Sequence, residues 1–88
     1  MKISAIAHFN NEQIPCFGKI TIASIKYPQA RVIWALNSAE GIVAGKAANL
    51  YFPYGEEETY RLFETVLAYI KTYRVGRRRI FTDVTIVA

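Results

Sequence analysis

Within Lys71-Thr72-Tyr73-Arg74-Val75-Gly76-Arg77-Arg78-Arg79 the chain carries five basic side chains and no acid. Crowded into a turn, such charges repel one another and gain little from folding. Their natural compensation is an external anion, with a nucleic acid backbone, DNA or RNA, the leading candidate. Four of the five, Arg74, Arg77, Arg78 and Arg79, are arginines, whose guanidinium matches phosphate oxygens in bidentate fashion. Lys71 and Arg74 have a structural reading as cations at the end of a helix, but that leaves the triple arginine unexplained.

A second basic group, Lys2, His8, Lys19, Thr21 and Arg31, occupies the polar positions of alternating segments. On a sheet face turned away from a core these residues could follow a phosphate backbone, with Lys19 and Arg31 as contacts and Tyr27 or Trp34 for stacking. Alternation by itself also produces polar faces, in which case Trp34 belongs to the core. The aromatic residues between Tyr51 and Tyr73 read as core and interface, because helical spacing accounts for Phe63, Tyr69 and Tyr73.

His8 and Cys16 are the conventional base and nucleophile, and a hairpin could set them side by side. No acid lies near either in sequence to orient the histidine, and a lone cysteine on a strand behaves as a small buried hydrophobe. No catalytic residue is expected. Gly41-Ile42-Val43-Ala44-Gly45-Lys46 lacks the spacing and the Ser or Thr of a phosphate loop and precedes no helix. One cysteine can form neither an internal disulfide nor a cysteine-based zinc site, so no metal or cofactor is expected, and a reducing compartment suits it.

Positioning these groups requires strands first. Ile3, Ala5, Ala7 and Phe9 alternate with polar residues up to a turn at Asn10-Asn11-Glu12-Gln13. Ile20 and Ile22 mark a second strand ending before Tyr27-Pro28-Gln29, and Val32, Trp34 and Leu36 a third. After Asn37-Ser38-Ala39-Glu40-Gly41, a fourth runs from Ile42 to about Phe52. Its small residues Ala44, Gly45, Ala47 and Ala48 predict a bulge near Gly45 or close approach by a helix. Pro53-Tyr54-Gly55 breaks the strand, and Glu56-Glu57-Glu58 opens a helix whose dipole favours acids in the first turn. Leu62, Phe63, Val66, Leu67, Tyr69, Ile70 and Tyr73 give that helix its apolar face, with Gly76 placed as a left-handed cap. Ile80 to Val87 is a final strand. The expectation is a single two-layer α+β domain over residues 1–88, a four-stranded antiparallel meander followed by one helix and a C-terminal strand. That last strand could pair within its own sheet or add to a second copy, the latter being preferred.

Charge is unevenly distributed: five bases against two acids in residues 1–55, one against four in 56–70, and five against one in 71–88. Eighty-eight residues bury a modest core, and an apolar content of 52% offers more than such a core readily hides, which points to a homodimer. No apolar run reaches the roughly 18 residues of a membrane span, and the first residues lack the apolar stretch of a secretory signal, so the expectation is a cytoplasmic protein.

The opening Met1-Lys2-Ile3-Ser4-Ala5-Ile6, the Asn11-Glu12 turn, Gly18-Lys19-Ile20-Thr21-Ile22, the strand start Gly41-Ile42-Val43-Ala44 and the helix around Glu57 to Tyr73 resemble the SpoVG family of small bacterial septation and sporulation regulators. The resemblance implies a dimeric, nucleic acid-binding α+β domain. Gly45-Lys46-Ala47 stands where that family carries Met-Pro-Ser, and no family binding residue carries over. The reading is therefore a small non-catalytic nucleic acid-binding protein using its arginine-rich turn. The alternative is a protein-interaction module, a small regulator or inhibitor presenting its sheet edge or basic turn to an acidic protein.

Overall fold

The computed structural model describes residues 1–53, 55 and 58–87. In chain order the elements are β1 (Lys2–Phe9), β2 (Glu12–Lys26), β3 (Gln29–Ser38), β4 (Gly41–Tyr51), α1 (Thr59–Lys71), β5 (Arg74–Val75), β6 (Arg78–Arg79) and β7 (Phe81–Ile86). One antiparallel sheet has the order β4-β3-β2-β1-β7, and β5 and β6 form a separate two-stranded hairpin. The expected four-stranded α+β arrangement is present, but a fifth strand joins the sheet beyond β1. That strand is β7, which pairs antiparallel with β1 of its own chain. Its residues Phe81 and Val84 are buried beside β1, so the fold hides the apolar strand without help.

Local chemistry sets the turns. Asn10 and Asn11, with φ of 49° and 67°, join Phe9 to Glu12 as the two-residue loop whose twist matches a right-handed hairpin. β2 begins at Glu12 and is much longer than the Lys19–Ala23 alternation suggests, because Pro15 does not end it. At Pro15 the strand pairs with β1 alone, pairing with β3 starting only at Phe17, so the missing N–H costs no ladder bond on that side. Tyr27 and Pro28, joined by a cis peptide bond, link Lys26 to Gln29.

The bulge expected near Gly45 lies at Val43, between the pairs Asn37 with Ile42 and Leu36 with Ala44. Of β4's small residues, Ala44 is buried in the core cluster that includes the helix residues Leu62, Val66 and Ile70, with Ala48 packed against it. A glycine is required elsewhere. A Cβ on Gly18 would sit 1.7 Å from the carbonyl oxygen of Ala35 and 2.7 Å from its carbon, so β2 and β3 pack backbone to backbone there.

The core lies between the inner face of the sheet and α1. Ile3, Ile20, Val32, Trp34 and Leu36 meet Leu62, Val66 and Ile70, with Ile80 and Phe81 closing one side. Each such Leu or Ile contributes about 1.5–3 kcal/mol by leaving water. α1 begins at Thr59, with Glu58 at its N-cap making no side-chain cap bond and approaching Arg61 at 3.9 Å. Of the expected acidic first turn, Glu56 and Glu57 lie outside the described residues. The Gly18→Ala variant should lose roughly 1–3 kcal/mol of stability in urea denaturation, since only a backbone shift can relieve the overlap.

Candidate nucleic-acid interface

The arginine-rich segment is a β-hairpin and not a helix cap. α1 ends at Lys71, with Thr72 as its C-cap. The Thr72 N–H donates to Tyr69 O at 3.0 Å, its hydroxyl donates to the same oxygen at 2.7 Å, and Tyr73 N–H donates to Ile70 O. Thr72 therefore does the work expected of Gly76, and Arg74, expected in the last helical turn, starts β5 instead. Gly76, at φ 65°, takes the first position of the two-residue turn between Val75 and Arg78. Arg77, the second, has no positive φ, which is the pattern of a type II′ hairpin turn.

Pairing Arg74 with Arg79 across this hairpin places two guanidinium side chains on one face, and Val75 with Arg78 occupies the other. Like charges directly opposed destabilise a strand pair. All four arginines are exposed and, among the described residues, none makes an ion pair. Lys71 is exposed in the last helical turn, next along the chain.

Aromatic packing roots the hairpin. Tyr73, just before β5, meets Trp34 edge-on at a centroid distance of 5.3 Å and Phe81 at 6.1 Å, while Phe81 meets Trp34 edge-on at 5.9 Å. Ile80, just after β6, is buried, donates to Tyr73 O and accepts from His8 N at 2.8 Å. The hairpin thus projects from a fixed base while its own side chains touch solvent. Trp34 is core, 1% exposed, so it offers no stacking surface, and its Nε1 has no hydrogen-bond acceptor. Tyr27 leans on Phe52 at 6.1 Å.

Lys19 and Arg31 are not gathered with the hairpin. Both are exposed on the sheet face opposite the helix, Lys19 flanked by Lys2 and Ala35, Arg31 by Ser24 and Asn49. The structure therefore separates the seven candidate phosphate contacts, Lys71 with the four hairpin arginines and Lys19 with Arg31, into two surfaces. The residue that sequence reading missed is Phe17, 63% exposed on that same outer face. Its type gives no signal of an outward position, and only the register Ser4–Phe17–Asn37 places it outside.

Cys16 and His8 lie on opposite faces of the sheet and form no pair. Cys16 is buried beside Ala5, its thiol donating to Ile14 O at 3.4 Å, and desolvation pushes its pKa up despite a backbone hydrogen bond from Ala7 that lowers it. His8 faces outwards with Nε2 2.9 Å from Thr82 Oγ1. Among the described residues no cluster of His, Cys, Asp or Glu could hold a metal ion, and no helix is long and apolar enough to cross a membrane.

Comparison of the chain with protein-family models, curated proteins and solved structures finds no match. Replacing the anchor, Tyr73→Ala, should cost about 2 kcal/mol or more. It should also speed amide exchange across Arg74–Arg79 relative to the sheet, which hydrogen-exchange measurement reads directly.

Proposed function

We propose that the protein is a small non-catalytic nucleic acid-binding protein acting in the cytoplasm, with the β5–β6 hairpin as its phosphate-contacting element. The observation that carries this reading is the opposition of Arg74 and Arg79, with Arg77 and Arg78 beside them and, among the described residues, no carboxylate paired to any of the four. A folded chain gains nothing from that arrangement, whereas a phosphate backbone brings an anion to each guanidinium. The exposed Lys71 extends the positive surface along the helix end. A single buried cysteine suits a reducing compartment, and the resemblance to the SpoVG family implies the same class of partner.

Fluorescence anisotropy with labelled DNA and RNA oligonucleotides at low and near-physiological salt tests this reading. Binding should weaken steeply with salt, and Arg77/Arg78/Arg79→Ala should reduce the magnitude of the log–log salt slope by about 2–3, near one per lost phosphate contact. The same variant should be at least as stable as the wild type, because it removes the charge opposed to Arg74. Salt-insensitive binding, or a variant that binds as the wild type does, overturns the reading.

One feature favours an interaction role alongside it. β4 is an edge strand of 11 residues in which Lys46 is the sole charge, whereas the opposite edge, β7, has 6 residues and is irregular, with Asp83 at φ 53°. Such an edge is a template for strand addition, and we assign it to a second copy of the chain. An antiparallel two-fold pairing centred beside Lys46 keeps the two lysines from opposing each other. Sedimentation should give a dimer, and Ala47→Lys, which doubles the charge on the edge, should give a monomer that keeps its fold.

A further inference from the structure

We propose that the helix-free face of the sheet is a platform for single-stranded nucleic acid, on which an unpaired base stacks against Phe17 while flanking phosphates meet Lys2 and Lys19. The nucleic acid reading above supplies the ligand class, but none of these residues belongs to the arginine hairpin.

Three observations converge on this face. The first is charge. Lys2, Lys19, Lys26 and Arg31 all fall on its outward positions, and no carboxylate occupies an outward position of β1 to β4. Packing this face on a second copy would set cations against cations, so a polyanion is the complementary occupant. The second is an exposed ring. Phe17 shows 63% of its surface to solvent, and Tyr51 on the same face shows 70%. An aromatic face offers stacking to any base, provided that base is not already stacked within a duplex.

The third is shape. A hollow of about 430 Å³ adjoins Phe17, lined also by Lys2, Lys19, Ala35, Asn37 and Val87. Lys2 and Lys19 are direct cross-strand neighbours, and Phe17 lies two residues from Lys19, roughly 6.8 Å along the strand on the same face. Asn37 lies opposite Phe17 on β3, so its amide can hydrogen-bond the edge of a base stacked on the ring. A larger hollow of about 650 Å³ on the other side of Phe17 contains Glu12 and Glu40, which repel phosphate. The ring therefore divides a basic hollow from an acidic one, and the strand is expected on the lysine side.

Anisotropy with three labelled probes tests the platform: a single-stranded oligonucleotide, an abasic strand of equal length and a duplex. Phe17→Ala should weaken the base-containing single strand about tenfold while leaving its salt slope unchanged. The abasic strand and the duplex should bind as to the wild type. Phe17→Tyr should restore binding, and circular dichroism should show both variants folded, since the ring is exposed. If Phe17→Ala binds the single strand as the wild type does, or weakens the abasic strand equally, the platform is wrong whatever the hairpin does. If the triple-arginine variant binds all probes normally while the Phe17 effect remains, the hairpin reading falls and the platform stands. No binding of any probe by the wild type at low salt overturns both.

Discussion

The contact on which the rest of the molecule depends is the edge-on packing of Tyr73 and Phe81 against Trp34. Trp34 stands in the middle of β3, between β2 and the edge strand β4, and is buried. Tyr73 is where the chain leaves the helix, and Phe81 is where it enters the last strand. Aromatic pairs in this geometry add about 0.5–1.5 kcal/mol beyond the area they bury. Here they also hold together the two ends of the charged hairpin. Without that anchor, five cations within nine residues would favour an expanded loop over a closed turn.

Burial and exposure divide cleanly across the sheet. No polar or charged residue is buried among the described residues, and Lys46, opposite Trp34 on the helix side of the sheet, stays exposed at its edge. Charge is consequently displaced to solvent-facing positions, where water and ions screen it. The two basic surfaces are held by different layers and share no residue, so each can be altered without disturbing the other. The same separation disposes of the Cys16–His8 arrangement, since alternation along antiparallel strands puts one residue in the core and the other in solvent.

Much of the architecture was legible in residue types. Asn10-Asn11, the alternations of β1 and β3 and the periodicity of α1 are local signals, each satisfied by its own segment. β2 was less legible because the alternation of Ile20 and Ile22 marks only part of it, whereas the strand runs through Pro15, where it pairs with β1 alone. Gly76 reads from sequence as a helix cap, but a hairpin turn requires the same positive φ. Thr72 settled the choice by closing the helix four residues earlier.

By itself the sequence determined an α+β arrangement with a concentrated basic segment, because periodicity, turn chemistry and charge are properties of neighbouring residues. Tertiary structure alone decided that β7 pairs with β1, that Arg74 faces Arg79, that Lys19 and Arg31 sit apart from them, and that Phe17 is outside while Trp34 is inside. A period of two announces two faces without saying which one the helix covers. That is set by register, fixed by pairings between residues as distant as Ser4 and Thr85.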